Sequence, residues 1–254
     1  MSVNFAEYGT PTGAPIVLLH GIGGNGRLWA PTVAALAHRR VLAWDMPGYG
    51  ASAPLPEMTF PALAEALAGM LDRAGVTKAD ILGHSIGGMV AQEFNARFPE
   101  RVASLILLAT SAAFGSRDPS FAEDFVRTRL APLDAGEGMA GVARGVAKVA
   151  FGEAPDPAAE PDCIAAMLEV PEASYRQTIA CLTTFDRRDA LASIAVPTLL
   201  VAGEHDRMSP PKGVARMAEK IAGSRFEVIA KAGHFAHLEQ PAAFNAVLTG
   251  FLEA

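Results

Sequence analysis

Residues 81–88 read Ile81-Leu82-Gly83-His84-Ser85-Ile86-Gly87-Gly88, a stretch with the pattern Gly-x-Ser-x-Gly. Apolar residues precede it and a helix-like run, Met89 to Phe94, follows it. This order predicts a strand, a very tight turn and a helix, with Ser85 at the apex. A serine held in such a turn has a strained backbone, at a cost of about 1–3 kcal/mol. Gly83 and Gly87 lack side chains, so the strand and the helix can approach closely.

The composition of the 254-residue chain predicts a large folded core, because half of the residues are hydrophobic and 19% are charged. The net charge of −6 and the lack of a Lys/Arg cluster argue against nucleic acid or membrane as a partner. Cys163 and Cys181 are expected to be free thiols, with a disulfide as the alternative. No secretory signal is visible, so a cytoplasmic location is expected. The expected oligomeric state is a monomer or a homodimer.

Short apolar runs alternate with helical patterns along most of the chain. Runs typical of buried strands lie at 16–19, 40–44, 79–82, 102–108, 198–202 and 225–229, and residues 2–8 fit an edge strand. Helices of about ten or more residues between such strands indicate a parallel sheet with helices on both faces. The predicted fold class is therefore α/β, with a mostly parallel central sheet.

The alternation breaks between Thr110 and Phe185, where helical periods replace the buried strands. An insertion of about 75 residues is too long for a loop. We therefore predict a core of residues 1–110 and 186–254, and an all-helical cap of residues 111–185.

Four loops that follow strands carry the candidate catalytic residues. They are the glycine-rich loop at His20, the serine turn, and the loops ending in Asp206 and His234. Ligand sites of open parallel sheets lie beyond the carboxyl ends of the strands, so these loops are expected to meet. A serine hydroxyl needs a base to become nucleophilic, and the base needs a carboxylate to fix its tautomer. A serine, an acid and a histidine follow strands here in that order.

The chain resembles the α/β-hydrolase fold superfamily over essentially its whole length. The shared stretches are His20-Gly21-Ile22-Gly23-Gly24, Asp45-Met46-Pro47-Gly48-Tyr49-Gly50-Ala51-Ser52, Gly83-His84-Ser85-Ile86-Gly87-Gly88, Gly203-Glu204-His205-Asp206, and Gly233-His234 with Glu239-Gln240-Pro241. The resemblance implies Ser85 as nucleophile, Asp206 as acid and His234 as base. It also implies an oxyanion hole formed by the backbone N–H groups of Ile22 and Ile86.

Other residues compete for these roles. His205 and His237 are alternative bases, and the alternative acids are Glu204, Asp186 and Asp189. The two aspartates lie beside arginines, so surface ion pairs explain them. No short ligand spacing such as His-x-Glu-x-x-His is present, so neither a metal nor a cofactor is expected.

The substrate pocket is predicted between the serine turn and the cap. The residues expected to line it are His20, His84, Phe121, Phe125, Met139, Val142 and Phe235. An enol-lactonase must hold a substrate carboxylate, which requires a cap arginine in the pocket. Periodicity alone does not decide whether Arg127, Arg129 or Arg144 points there.

Within the superfamily, the chain resembles capped carboxylesterases and the 3-oxoadipate enol-lactonase-like group. The first hypothesis is a serine-dependent carboxylic-ester hydrolase that forms an acyl-enzyme with apolar, small to medium aliphatic esters, ester oligomers included. Alternatives are an enol-lactonase-type lactone hydrolase, a hydrolase of carbon–carbon bonds, a cofactor-free perhydrolase or acyltransferase, and a non-catalytic ligand receptor. Serine at the turn argues against haloalkane dehalogenases and epoxide hydrolases, which use aspartate there. The carbon–carbon hydrolases usually carry Gly-Pro-Gly and a tryptophan where this chain has Gly-Gly-Asn and Phe235.

Overall fold

A computed structural model describes residues 3–115 and 119–254 of the chain. The first residue of the predicted edge strand, Ser2, and positions 116–118 of the predicted cap lie outside the described residues. No helix within the described ranges is long and apolar enough to cross a bilayer.

Seven strands form one sheet in the order β1-β3-β2-β4-β5-β6-β7. They are β1 (Phe5–Gly9), β2 (Pro15–Leu19), β3 (Arg40–Trp44), β4 (Ala79–His84), β5 (Val102–Leu108), β6 (Thr198–Gly203) and β7 (Arg225–Ile229). Neighbouring strands are parallel except for β1, which pairs antiparallel with β3 at one edge. The predicted fold class, a mostly parallel α/β sheet, is confirmed.

Helices cover both faces of this sheet. Outside the segment between β5 and β6, they are α1 (Ala30–Ala35), α2 (Phe60–Arg73), α3 (Ile86–Arg97), α8 (Pro211–Ala218), α9 (Ala236–Glu239) and α10 (Pro241–Leu252). Successive side chains of a strand point to opposite faces, so in β2 Ile16 and Leu18 join one buried cluster while Val17 and Leu19 join the other. Burial on both faces explains why the central strands read as continuous apolar runs.

Local sequence signals determine where several helices begin. Thr59 caps α2 by accepting a hydrogen bond from the Ala62 N–H at 3.3 Å, and Pro61 lies in the first turn. The helical segment after the His20 loop starts as a 3-10 turn, Gly26–Trp29, before α1. Pro31 has no N–H and is tolerated only in the first turn of an α-helix, so the α-helix begins at Ala30.

Between β5 and β6 the described residues form four α-helices, α4 (Pro119–Asp134), α5 (Gly138–Ala150), α6 (Ala159–Leu168) and α7 (Glu172–Leu182). In α5 the residues Val142, Val146 and Ala150 are buried, which is the spacing of one helical face. We call residues 111–185 the cap, and its separation from the core as a unit is a proposal. The sequence pattern of residues 187–194 predicts a helix, and the structure has a 3-10 helix there, Arg188–Ser193.

Candidate active site

Ser85 lies at the apex of the turn between β4 and α3, with φ 55° and ψ −120°. A non-glycine residue rarely adopts a positive φ, so this backbone is strained. Two hydrogen bonds hold it: the Ser85 N–H donates to the Leu108 carbonyl at 2.9 Å, and Thr110 Oγ1 donates to the Ser85 carbonyl at 2.7 Å. The turn is therefore fixed by β5 and the residues that follow it.

The two glycines that flank Ser85 are required by close contacts. A Cβ at Gly83 would lie 2.3 Å from the Gly87 carbonyl oxygen, and a Cβ at Gly87 would lie 2.3 Å from the Leu19 carbonyl oxygen. No side chain fits at such distances. The expectation that glycines permit the close approach of strand and helix agrees with this packing.

Asp206 and His234 form a buried pair at the ends of the loops that follow β6 and β7. His234 Nδ1 lies 2.9 Å from Asp206 Oδ2, so the ring donates its Nδ1 proton to the carboxylate and leaves Nε2 as the free nitrogen. Asp206 Oδ1 accepts the N–H groups of Met208 and Ser209 at 2.8 and 2.9 Å. Both oxygens of the carboxylate are thus held in one orientation.

The environment of Asp206 keeps its carboxylate ionised. Burial acts to raise its pKa, but the charge and hydrogen bond of His234 and the two backbone N–H donors outweigh burial, so the pKa lies below its ordinary value of 3.8. Asp206 therefore carries a negative charge at neutral pH. A buried carboxylate of this kind fixes the histidine tautomer and stabilises the imidazolium form.

Ser85 and His234 line one cavity of about 440 Å³ beneath the cap. Ile22 also lines it, and Ile86 is the first residue of α3, where the N–H groups have no acceptor within the helix. The lining is mostly apolar, and its cap-derived members include Phe121, Phe125, Val146, Val149, Met167, Tyr175, Ile179 and Leu182. The structure thus places a serine, a histidine and an apolar chamber together.

Four residues predicted for the pocket, His84, Phe121, Phe125 and Phe235, line this cavity, whereas three others lie elsewhere. Met139 packs against the core cluster, and Val142 lines a second cavity of about 450 Å³ that shares residues of α4 and α5 with the first. His20 is used by the backbone: its Nδ1 donates to the Gly21 carbonyl and its Nε2 accepts the Met46 N–H at 2.9 Å. Periodicity marked Met139 and Val142 as inward-facing but did not show which neighbour they face.

The buried side chains of His84 and His20 are neutral at pH 7. Burial lowers the pKa of His84 well below 6.5, and the charges of His234 and His237 lower it further. His84 Nε2 donates to the His234 carbonyl at 2.9 Å and so helps to fix that loop. Burial also lowers the pKa of His20 to about 4, with Gly21 and Asp45 acting in the opposite direction.

The competing bases and acids lie in other environments. His237 is buried against Trp29, with ring centroids 4.4 Å apart, and burial lowers its pKa to about 3. The half-exposed ring of His205 lies 3.7 Å from carboxylates of Glu153 and Glu204. Asp186 pairs with Arg188. None of these residues lines the cavity among the residues that the structure describes.

Several cavity residues were not anticipated from the sequence, namely Met89, Ser111, Tyr175, Ile179, Arg207 and Ser209. Arg207 directly follows Asp206, and this adjacency is the sequence feature that could have indicated Arg207 as a cavity residue. The face of α7 that contributes Tyr175 and Ile179 depends on how the cap helices pack, which local spacing does not encode. Within the described ranges, no group of three His, Cys, Asp or Glu side chains is arranged to hold a metal ion.

Comparisons with known proteins agree with this architecture. The pimeloyl-(acyl-carrier protein) methyl ester esterase of Aeromonas hydrophila is 34% identical over 261 residues, covering 99% of this chain and 100% of that protein. The 3-oxoadipate enol-lactonase 1 of Acinetobacter baylyi is 30% identical, covering 96% and 91%. The structure of a thermophilic esterase from Thermogutta terrifontis, with malate bound, has a TM-score of 0.90 and 29% identity, covering 99% and 93%.

A profile of the Alpha/beta hydrolase family matches residues 16–247, which is most of the chain. The relatives above are named as hydrolases, and they align along nearly their whole length. The resemblance inferred from the glycine-rich loops and the serine turn is therefore confirmed. The chain belongs to the Alpha/beta hydrolase family.

Proposed function

We propose that the protein hydrolyses carboxylic esters through an acyl-enzyme on Ser85, with His234 as general base and Asp206 as its orienting acid. The observation that carries this proposal is the 2.9 Å bond between Asp206 and His234, because His234 lines the same cavity as Ser85, a serine held at a strained apex. A carboxylate, a histidine of fixed tautomer and a serine that lines the cavity together make a nucleophile at neutral pH.

In the first step, Ser85 Oγ attacks the ester carbonyl while His234 Nε2 takes the hydroxyl proton. Asp206 stabilises the imidazolium that results. The tetrahedral intermediate then expels the alcohol, which receives the proton from His234. In the second step, His234 removes a proton from water, the hydroxide attacks the acyl carbon, and Ser85 leaves with its proton restored.

The negative oxygen of each tetrahedral intermediate needs hydrogen-bond donors. We assign this role to the backbone N–H groups of Ile22 and Ile86. Ile86 begins α3, whose N-terminus is the positive end of the helix dipole. Ile22 lines the cavity from the loop after β2. A donor of this type contributes about 3–4 kcal/mol to lowering the barrier.

The cavity favours small to medium aliphatic acyl groups. Its lining by phenylalanine, valine and methionine side chains matches apolar substrates. The Aeromonas hydrophila relative is named as a methyl ester esterase, which fits the same reaction class.

Stoichiometric labelling tests the proposed nucleophile. A fluorophosphonate is expected to modify one serine per chain, and peptide mass spectrometry is expected to locate it at Ser85, with complete loss of nitrophenyl ester hydrolysis. Denatured protein serves as the control, because an unfolded serine has no activating histidine. Labelling spread over several serines, or full activity after labelling at Ser85, would contradict the mechanism.

A second candidate function is the hydrolysis of lactones or esters that carry a free carboxylate. Arg129 and Arg207 line the cavity, no Asp or Glu of the described residues does, and neither arginine pairs with a carboxylate within that part of the chain. Arg129 instead lies over the Phe125 ring, 5.3 Å from its centroid. Two relatives fit this candidate: the Acinetobacter baylyi enol-lactonase and the Thermogutta terrifontis esterase that holds malate.

Paired substrates distinguish the two candidates. If Arg129 binds a carboxylate, Arg129→Gln is expected to lower kcat/KM for the half-ester of a dicarboxylic acid about 10–100-fold, because a charge-assisted hydrogen bond contributes about 1.5–3 kcal/mol. The neutral diester of the same length should change less than about threefold. Arg127→Gln is the control, because Arg127 lies two residues away on α4 and pairs with Asp124 at the surface. Equal loss on both substrates would rule out the carboxylate-binding role.

A further inference from the structure

Glu239, at the end of α9, is a buried carboxylate with 1% of its surface exposed. Its Oε2 accepts the backbone N–H groups of Gly152 and Gly233 at 2.7 and 2.9 Å, and its Oε1 accepts the Phe235 N–H at 3.0 Å. Among the described residues, no lysine or arginine forms an ion pair with it. Three backbone donors therefore solvate a charge that would otherwise be costly to bury.

Two of these donors flank the proposed base. Gly233 directly precedes His234 and Phe235 directly follows it, so one carboxylate holds the backbone on both sides of the histidine. The third donor, Gly152, belongs to the connection between α5 and α6 of the cap. Glu239 thus joins the loop of the base to the cap through a single side chain.

Further bonds align the same two segments. The Ala150 carbonyl accepts the His234 N–H at 2.6 Å, the Lys231 carbonyl accepts the Glu153 N–H at 2.8 Å, and the Glu239 carbonyl accepts the Asp156 N–H at 2.9 Å. The position of His234 is therefore determined by the cap connection as well as by Asp206.

The packing between these segments leaves no free space for readjustment. A Cβ at Gly152 would lie 2.1 Å from the Lys231 carbonyl oxygen, and a Cβ at Gly233 would lie 2.3 Å from the Ala150 carbonyl oxygen. The two backbone segments are therefore in direct contact. We expect a change in the acceptors offered by Glu239 to displace His234.

We propose that Glu239 is a positioning residue for His234. By accepting the N–H groups of Gly152, Gly233 and Phe235, Glu239 fixes the position of the base relative to the cap. This inference depends on the proposed role of His234. A displacement of a catalytic group by about 1 Å can cost about 100-fold in rate, so a side chain that fixes both neighbours of the base affects turnover.

The charge of Glu239 contributes in a second way. Burial raises its pKa, while its three backbone donors and the charge of His234 act in the opposite direction. When ionised, it adds a negative charge near the imidazolium that forms during the reaction. Glutamine in its place would remove that charge and would direct an amide N–H₂ group at a backbone donor.

Turnover per active site tests this role. Glu239→Gln is expected to lower kcat about 10–100-fold with KM within about twofold, because the substrate pocket keeps its lining while the base is displaced. The number of active sites is first determined by fluorophosphonate titration, which removes the effect of unfolded protein. Glu93→Gln is the matched control: Glu93 is equally buried and pairs with Arg187 at 2.6 Å, away from the His234 loop.

The control separates positioning from stability. Both variants are expected to lower Tm, but only Glu239→Gln should lower kcat per titrated site. Equal kcat values for the two variants would overturn the proposal. If Glu239→Gln does not fold, Glu239→Asp keeps the charge but is too short to reach all three donors, and an unchanged kcat in that variant would also overturn it. Failure of the reaction itself is distinguishable, because the parent would then show no Ser85 labelling.

Discussion

Replacement of Ser85 by alanine is expected to reduce kcat for ester hydrolysis by about 10⁴-fold or more, the size of effect seen when a serine hydrolase loses its nucleophile. Without Oγ no acyl-enzyme can form, so the remaining rate reflects only substrate binding and oxyanion stabilisation. The measurement is the steady-state hydrolysis of a nitrophenyl ester, with protein folding checked by thermal unfolding.

The same variant should leave stability almost unchanged. Alanine and serine both carry a Cβ, so the strain at φ 55° is retained, and the bonds that hold the Ser85 backbone do not use its side chain. Ser224→Ala, which removes a hydroxyl bonded to the Ala218 carbonyl far from the cavity, should keep full activity. Parent-like turnover by Ser85→Ala would exclude the acyl-enzyme mechanism.

The strands were predictable because burial on both faces leaves a direct mark on the sequence. The bounds of β3, β5 and β7 match the apolar runs. Parallel topology brings the loops that follow the strands to one edge of the sheet, and for this reason the sequence alone predicts that Ser85, Asp206 and His234 lie near one another.

The direction of the cap side chains could not be predicted in the same way. Arg127 and Arg129 are two residues apart on α4, which separates them by about 200° around the helix axis. The two arginine side chains therefore cannot both face the cavity. Only the packing of α4 over the cavity shows that Arg129 lines it while Arg127 pairs with Asp124.

The roles of buried polar residues were equally inaccessible. Glu239 belongs to a stretch shared with the superfamily, yet one of its three backbone partners, Gly152, lies 87 residues away in the chain. His20 was predicted to line the pocket, but its ring forms hydrogen bonds with the backbone of Gly21 and Met46. Long-range hydrogen bonds of this kind have no local sequence pattern.

Asp206→Asn is expected to lower kcat by about 10⁴-fold while the fold is kept. In the parent, Asp206 Oδ1 accepts the Met208 and Ser209 N–H groups, and Oδ2 accepts the His234 Nδ1 proton. Asparagine has one acceptor oxygen, which the two backbone donors require. Its N–H₂ group then faces His234, so Nδ1 must become the acceptor and the ring proton moves to Nε2. A histidine in that tautomer cannot take the proton of Ser85.

Glu204→Gln provides the comparison, because Glu204 is the competing acid two residues away and accepts the Lys231 N–H at the surface. We expect its kcat to stay within about threefold of the parent, since an exposed carboxylate contributes little. A loss in Glu204→Gln as large as that in Asp206→Asn would move the acid role away from Asp206. We expect the opposite, because both Asp206 oxygens are engaged in a buried pair that holds His234 in the tautomer with Nε2 free for the proposed proton transfer.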